Sequence, residues 1–196
     1  MRHRHIIYLC RSSFVALRSI ALVRSYLTES TTAQLISSFI TFRLHHCNSI
    51  FSGLPATEKD RLQRIQNNAA RLILRKSKRD HVSLLLQHFH WLPTPARIDD
   101  KIATQHYRHF DGSLPPNLSS TLVIYQTSRS LRSSHEKLLK VPRKNLKAFG
   151  HCSFSYQVPT VWNSFPSAIR RPPSLASFKP SFHLSLNREG RWGHHR

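Results

Sequence analysis

Carboxylates are the side chains with which this chain could best support catalysis, but their spacing does not suit a catalytic site. Phosphoryl transfer by two metal ions needs clustered aspartates that neutralise the attacking and leaving oxygens. The aspartates here are Asp60, Asp80, Asp99, Asp100 and Asp111. The only adjacent pair falls inside a predicted helix, and none of the five glycines cluster into a phosphate-binding loop. We therefore expect no catalytic residue and no cofactor.

Histidine is abundant, with fourteen residues, and suggests a metal site at two places. These are the run His45-His46-Cys47 and the pair His88 and His90. Adjacent side chains on a helix point about 100° apart, so the run cannot chelate one ion as a unit. We expect no metal site.

Cations repeat at helical spacing through the middle of the chain. The stripe consists of Arg61, Arg64, Arg71, Arg75 and Lys78, and Lys76 and Arg79 adjoin it. Thirty basic residues against nine acidic ones leave a net charge of +21, for which nucleic acid is the usual partner. The stripe predicts contact with the phosphates of RNA or DNA without sequence preference. A solvated face, with some cations serving only the negative end of a helix dipole, is the alternative.

A helix from about Glu58 to Leu74 must position that stripe. Apolar residues at three-four spacing, Leu62, Ile65, Ala69 and Leu72, predict a buried face beside the cationic one. Thr57 is the expected N-cap, with Asp60 in the place of a capping-box glutamate. We expect the buried face to pack against Phe14, Phe39 and Phe42.

Two helices should precede this one. Ile6, Cys10, Phe14, Leu17 and Ala21 predict an amphipathic helix from about Ile6 to Leu27. A capping box of Thr31 and Gln34 should open the second helix, which Gly53 and Pro55 end.

Later segments are shorter and less periodic. A short helix should stop near Trp91-Leu92-Pro93, with Trp91 as a core residue, and Thr94 should cap a helix that ends at Asp111-Gly112. Leu138 to Val141 is predicted to pair with Ser130 to Arg132 in a hairpin. The remaining predictions are a short helix near Ser153 to Asn163, with Trp162 as a core anchor, and a last helix capped by Ser174.

The fold class expected is mainly α: a small bundle of about five to seven helices with a short β-hairpin and a loop-rich C-terminal third. Residues 1–112 should form the bundle, residues 113–186 the loop-rich region, and residues 187–196 a disordered tail. The apolar fraction of 39% indicates a thin core.

Cysteine usage bears on the compartment. Cys10, Cys47 and Cys152 are far apart, which favours free thiols in a reducing, intracellular setting, whether cytoplasm or nucleus. The arginine-rich N-terminus is similar to a mitochondrial transit peptide, but a structural helix is the preferred interpretation. No apolar run reaches the roughly 18 residues of a membrane span, so no membrane partner is expected.

Several motifs, in this order, resemble the region downstream of the polymerase core in reverse transcriptases of non-LTR (LINE-type) retrotransposons. They cover roughly Cys10 to Leu186 and comprise Asn48 to Pro55, Leu62 to Leu74, His90 to Pro93, Ser128 to Ser134, Val141 to Arg143, Trp162 to Pro166 and Ser174 to Lys179. One departure is the polar set Asp100, Thr104, Gln105 and His106, where relatives carry apolar residues. That set should weaken the packing of its helix.

The resemblance implies the thumb-side, C-terminal part of such an enzyme, so that residues 1–112 resemble its helical bundle. The catalytic palm and the endonuclease would be missing, and the palm would be the partner of this region in the full-length family. A non-catalytic remnant that binds nucleic acid is the function expected. Two alternatives stay open: a degenerate translated fragment without a selected function, and a co-opted protein-interaction module that uses an exposed apolar face.

Overall fold

The computed structural model describes residues 2–46, 48–125, 138–143 and 153–170, together with residues 174, 176–178 and 180. This part of the chain is mainly helical, which confirms the predicted class. The α-helices are α1 Arg2–Val23, α2 Glu29–Ile36, α3 Phe42–His45, α4 Ala56–Leu74, α5 Val82–His88, α6 Thr94–Phe110, α7 Pro116–Ser119, α8 Phe154–Asn163 and α9 Ser167–Arg170.

The described residues divide into two compact units. Unit 1 contains residues 2–48 and 54–96, and unit 2 contains residues 49–53 and those from 97 onward. The division falls within α6, whereas the sequence led us to expect it after residue 112.

Helix α4 is the central element of unit 1 and contacts α1, α2 and α5. Leu62, Ile65 and Ala69 are fully buried, as predicted. Leu72 is only partly buried, and Ile73 is fully buried in its place. At about 100° per residue, Ile73 points closer to the direction of Leu62 than Leu72 does.

Helix α1 buries a different face from the one predicted. Its buried residues are Ile6, Leu9, Ser13, Leu17 and Ile20, whereas Phe14 is 43% exposed. The prediction of Phe14 as a core residue is therefore wrong. The buried face passes through the small polar Ser13, which a search for apolar residues overlooks, and Phe14 lies on its flank.

A π-helical turn at Ser37–Thr41 joins α2 to α3 and changes which residues are buried. Ile36, Ile40 and Leu44 are buried, whereas Phe39 and Phe42 are 49% and 66% exposed, so their assignment to the core is wrong. Residues four apart drift by about 40° on an ideal α-helix. The wider π turn takes up this drift and keeps the aliphatic residues on one side.

The helix starts also differ from the predicted ones. Helix α2 begins at Glu29, and the Thr31 amide donates to Thr28 Oγ1 at 3.1 Å, so Thr28 is the N-cap. Helix α4 begins at Ala56 after Pro55, without a side-chain cap, so Thr57 does not have that role. The end of α4 at Leu74 is as predicted.

Unit 2 is built around Trp162 of α8, which is 1% exposed, as expected of a core anchor. The centroid of its ring system lies 3.7 Å from that of the His106 imidazole, and Phe165 and Phe178 also contact it. His106 is fully buried. The His106 ring thus packs against aromatic side chains, and the expectation that the polar set Asp100, Thr104, Gln105 and His106 weakens the packing of α6 stays a prediction.

The predicted hairpin is not found among the described residues. Leu139 forms an isolated antiparallel bridge with Ile124, and residues 130–132 lie outside the described part. The Asn163 side chain also bonds the backbone of Leu139, accepting from its amide at 3.1 Å and donating to its carbonyl at 2.8 Å. The predicted tail, residues 187–196, lies outside the described residues too.

One expectation about membranes needs correction. The helical segment His3–Tyr26 is long enough to cross a membrane and contains an 18-residue stretch that is apolar enough, with a mean hydropathy of 1.6. Core helices of soluble proteins have the same length and composition, and α1 packs against α4 in unit 1.

Candidate nucleic-acid interface

The end of α4 forms an ordered turn that carries most of the predicted binding residues. Arg75 adopts a left-handed conformation, with φ of 53°, and ends the helix. Asp80 then orders the following residues, because its carboxylate accepts a hydrogen bond from the Ser77 amide at 2.6 Å. The Arg79 amide donates to Ser77 Oγ at 3.1 Å. We call residues 75–79 the basic turn.

Three cations of the basic turn point into solvent. Lys76, Lys78 and Arg79 are exposed. Within the part of the chain that the structure describes, their side chains form no hydrogen bond or ion pair. They are therefore available to an anionic ligand.

Two other predicted binding residues have structural contacts. Arg71 Nη2 donates to the backbone carbonyl of Asp80 at 3.3 Å and so ties α4 to the far end of the turn. Arg75 Nη2 donates to the carbonyl of Arg24 at 3.1 Å. These arginines position the turn as well as contributing charge.

Arg24 is the residue that sequence reasoning missed at this site. It is 9% exposed, and its guanidinium donates to the carbonyls of Leu72 at 2.9 Å and Ile73 at 2.6 Å. Those carbonyls belong to the last turn of α4, where backbone acceptors lack partners within the helix. A signal existed in the spacing, since Arg24 continues the buried face of Leu17 and Ile20 by four residues.

Arg61 and Arg64, the other members of the stripe, lie on the first half of α4. Both are exposed, and Arg61 Nη1 contacts Glu58 Oε1 at 3.2 Å. At 1.5 Å per residue, Arg64 lies roughly 16 Å along the helix from Arg75. The predicted stripe is thus divided into a pair on the first half of α4 and a cluster that begins in its last turn and continues after its end.

A buried polar network fastens the His90–Pro93 motif to α4. Gln66 Nε2 donates to the Leu92 carbonyl at 2.9 Å, and Gln66 Oε1 accepts from Thr94 Oγ1 at 3.1 Å. Gln63 Oε1 accepts from the Thr94 amide at 2.6 Å. Both glutamines are almost fully buried. The sequence suggested neither residue, because a search for apolar spacing does not identify buried glutamines. Their burial becomes apparent only when their hydrogen-bond partners are known.

Trp91 contributes to the core of unit 1 at its margin. It is partly buried and packs against a cluster of Ala70, Leu85 and Leu86, next to Phe89, whose ring centroid lies 5.1 Å from that of Trp91. Trp91 was predicted to lie in the core, and it lies at the edge of the core. This contact holds α5, which follows the basic turn, against α4.

No group of three potential metal ligands occurs among the residues described. Cys10 is a half-buried free thiol on α1. Burial raises its pKa, Glu58 raises it further, and Arg61 partly opposes them.

The chain matches no protein-family model, no curated protein and no solved structure. The resemblance to reverse transcriptases of non-LTR retrotransposons therefore rests on the sequence motifs alone.

Proposed function

We propose that the chain is a non-catalytic remnant of a non-LTR retrotransposon reverse transcriptase and that it binds RNA or DNA without sequence preference. The observation that carries the proposal is the basic turn, an ordered segment with the exposed cations Lys76, Lys78 and Arg79. Phosphates recur along a nucleic-acid backbone, so closely spaced cations can neutralise several of them and release their counterions. Arg61 and Arg64 add a separate pair of exposed cations on the first half of α4.

The alternative role for these cations was to satisfy the negative end of α4. Arg24 already donates to the carbonyls of Leu72 and Ile73. The Lys76 amide donates to the Arg71 carbonyl at 2.9 Å, which occupies another acceptor of the last turn. The side chains of Lys76, Lys78 and Arg79 are therefore not needed to cap α4, and this favours an external anion as their partner.

Salt dependence of binding tests the proposal. We expect the affinity for a labelled duplex, measured by fluorescence anisotropy, to fall with a slope of log K against log salt of about −3 to −4, if about four phosphates are engaged. A labelled single strand should give a somewhat shallower slope.

A matched pair of triple variants separates a placed surface from bulk charge. Lys76→Glu, Lys78→Glu and Arg79→Glu together should flatten the slope by about two units or more. The control combines Lys101→Glu, Lys140→Glu and Arg108→Glu, which are exposed and give the same change in net charge. Arg71 and Arg75 are left intact because they hold the turn in place.

Equal losses of affinity and slope in the two triple variants would contradict the proposal. The basic turn would then be a solvated face, and a degenerate fragment without a selected function would be the better account. A loss confined to the basic-turn variant would support a dedicated phosphate-binding surface.

A further inference from the structure

A groove with a volume of about 610 Å³ lies between α1 and α4 within unit 1. Four arginines and four other residues line it: Ile7, Cys10, Arg11, Phe14, Val15, Arg18, Arg61 and Arg64. The nucleic-acid proposal does not require this groove, which lies along the first half of α4 and shares only Arg61 and Arg64 with the predicted stripe.

The groove has an apolar floor and cationic sides. Phe14 and Val15 are 43% and 66% exposed, so part of the floor is uncovered apolar surface. Arg11 and Arg18 of α1 and Arg61 of α4 are exposed beside that floor. The raised pKa of Cys10 keeps its thiol neutral, which leaves the floor uncharged.

We propose that this groove binds an amphipathic α-helix of another protein, with aliphatic side chains on the floor and flanking carboxylates against the arginines. This goes beyond nucleic-acid binding and commits the chain to an acidic protein partner. Helices of this kind dock through apolar residues at i, i+3, i+4 and i+7. From Ile7 to Val15 the floor extends roughly 12 Å, a little over two helical turns, which accommodates the roughly 10.5 Å between anchors i and i+7.

The floor favours a protein over a nucleic acid. Unpaired bases stack mainly on aromatic side chains, with a further contribution from arginine, and among the groove-lining residues only Phe14 is aromatic. Sugar and phosphate gain little from contact with Ile7 and Val15, whereas leucine or isoleucine side chains lose unfavourable contact with water there.

The charges favour an acidic partner over a second copy of this chain. A second copy would bring its own net charge of +21 against a groove that already carries four arginines. Carboxylates on the flanks of a docked helix would instead form charge-assisted hydrogen bonds with Arg11, Arg18, Arg61 and Arg64.

Binding can be measured with a labelled synthetic helix and three matched peptides. The test peptide is 16 residues long, carries leucines at the anchor spacing and glutamates on both flanks, and is titrated by fluorescence anisotropy. The matched peptides replace the leucines with serine, replace the glutamates with glutamine, or consist of glutamate alone. We expect saturable binding of the test peptide, and dissociation constants at least about tenfold higher for all three matched peptides.

Two substitutions on α1 show whether the groove is the site. Val15→Asp places a carboxylate on the floor, and Leu22→Asp makes the same change at a side chain that is 78% exposed outside the groove. Val15→Asp should raise the dissociation constant of the test peptide at least about tenfold, whereas Leu22→Asp should leave it nearly unchanged. Should Val15→Asp lower the thermal midpoint, the combination Arg18→Gln and Arg64→Gln replaces it, with the same expected loss.

The remaining outcomes overturn the proposal. Equal effects of Val15→Asp and Leu22→Asp would mean that the peptide binds elsewhere. Equal binding of the glutamate-only peptide would mean that charge alone is recognised. If a single-stranded oligonucleotide displaces the test peptide and Val15→Asp weakens the oligonucleotide more than Leu22→Asp does, the groove is a nucleic-acid site. The basic-turn variant tests nucleic-acid binding without changing the groove. Failure of the nucleic-acid proposal is therefore distinguishable from failure of the groove proposal.

Discussion

Arg24 and Arg75 join the ends of α1 and α4 by reciprocal hydrogen bonds. The Arg75 guanidinium donates to the Arg24 carbonyl at 3.1 Å, and the Arg24 guanidinium donates to the carbonyls of Leu72 and Ile73, just before Arg75. Each arginine therefore satisfies backbone acceptors at the end of the other's helix. The contact fixes the start of the basic turn against the end of α1 within unit 1.

Removing the Arg24 guanidinium should destabilise unit 1. Arg24→Met keeps much of the aliphatic stem but leaves the carbonyls of Leu72 and Ile73 without these donors, at an expected cost of about 2 to 3 kcal/mol. Arg24→Lys should cost less, because it keeps the charge but not the forked geometry. Urea unfolding measures both, with Arg11→Met as the exposed control. Equal stability of Arg24→Met and Arg11→Met would show that the contact contributes nothing.

The buried glutamine network should be as sensitive as an apolar core position. Gln66→Ala leaves the Leu92 carbonyl and the Thr94 hydroxyl without their glutamine partner, and we expect a loss of about 1 to 3 kcal/mol in the free energy of unfolding. Gln87→Ala, on the exposed face of α5, is the matched control and should be nearly neutral. Similar values for the two variants, measured by thermal unfolding, would be inconsistent with a structural role for Gln66.

Adjacent aliphatic residues on α4 should differ in their contribution to stability. Ile73→Ala should cost about 2 to 5 kcal/mol, because it leaves a cavity at a fully buried position. Leu72→Ala should cost less than half as much, since Leu72 is only partly buried. Chemical denaturation of the two variants gives the difference. A larger loss of stability for Leu72→Ala would support the buried face that was predicted from the sequence.

Polymerase and nuclease activity should both be absent. Asp99 and Asp100, the only adjacent aspartates, lie on α6, where neighbouring side chains point about 100° apart and cannot share a pair of metal ions. The purified protein should therefore neither extend a primer nor cleave DNA in the presence of Mg²⁺. Template-dependent incorporation above a buffer control, abolished by a chelator, would disprove this.

Much of unit 1 could be predicted from periodicity. The end of α4, its buried residues Leu62, Ile65 and Ala69, and the mainly helical class follow from apolar spacing, which reports directly which face of a helix must be covered. The same method misplaced Phe14, Phe39 and Phe42, because it ranks residues by size and apolarity. Ser13 and the π turn determine which residues of these helices are buried. Both effects depend on how closely a neighbouring helix packs against them.

The candidate site was predicted less completely than the fold. Spacing placed Lys76, Lys78 and Arg79 after the end of a helix, where the structure has them exposed. It could not distinguish them from Arg71 and Arg75, since all five look alike as cations in a row. The difference lies in whether a backbone carbonyl from another segment comes within hydrogen-bonding distance.

The sequence by itself determined the excess of positive charge, the helical class and the position of the basic turn, because these depend on composition and on local periodicity. Tertiary structure alone decided that Arg24 caps α4, that Gln66 holds the segment after Trp91, and that a groove opens between α1 and α4. Each of these joins residues more than 20 positions apart in the chain. Hydrogen bonds and grooves between distant segments follow from how the helices pack, and local spacing does not encode that packing.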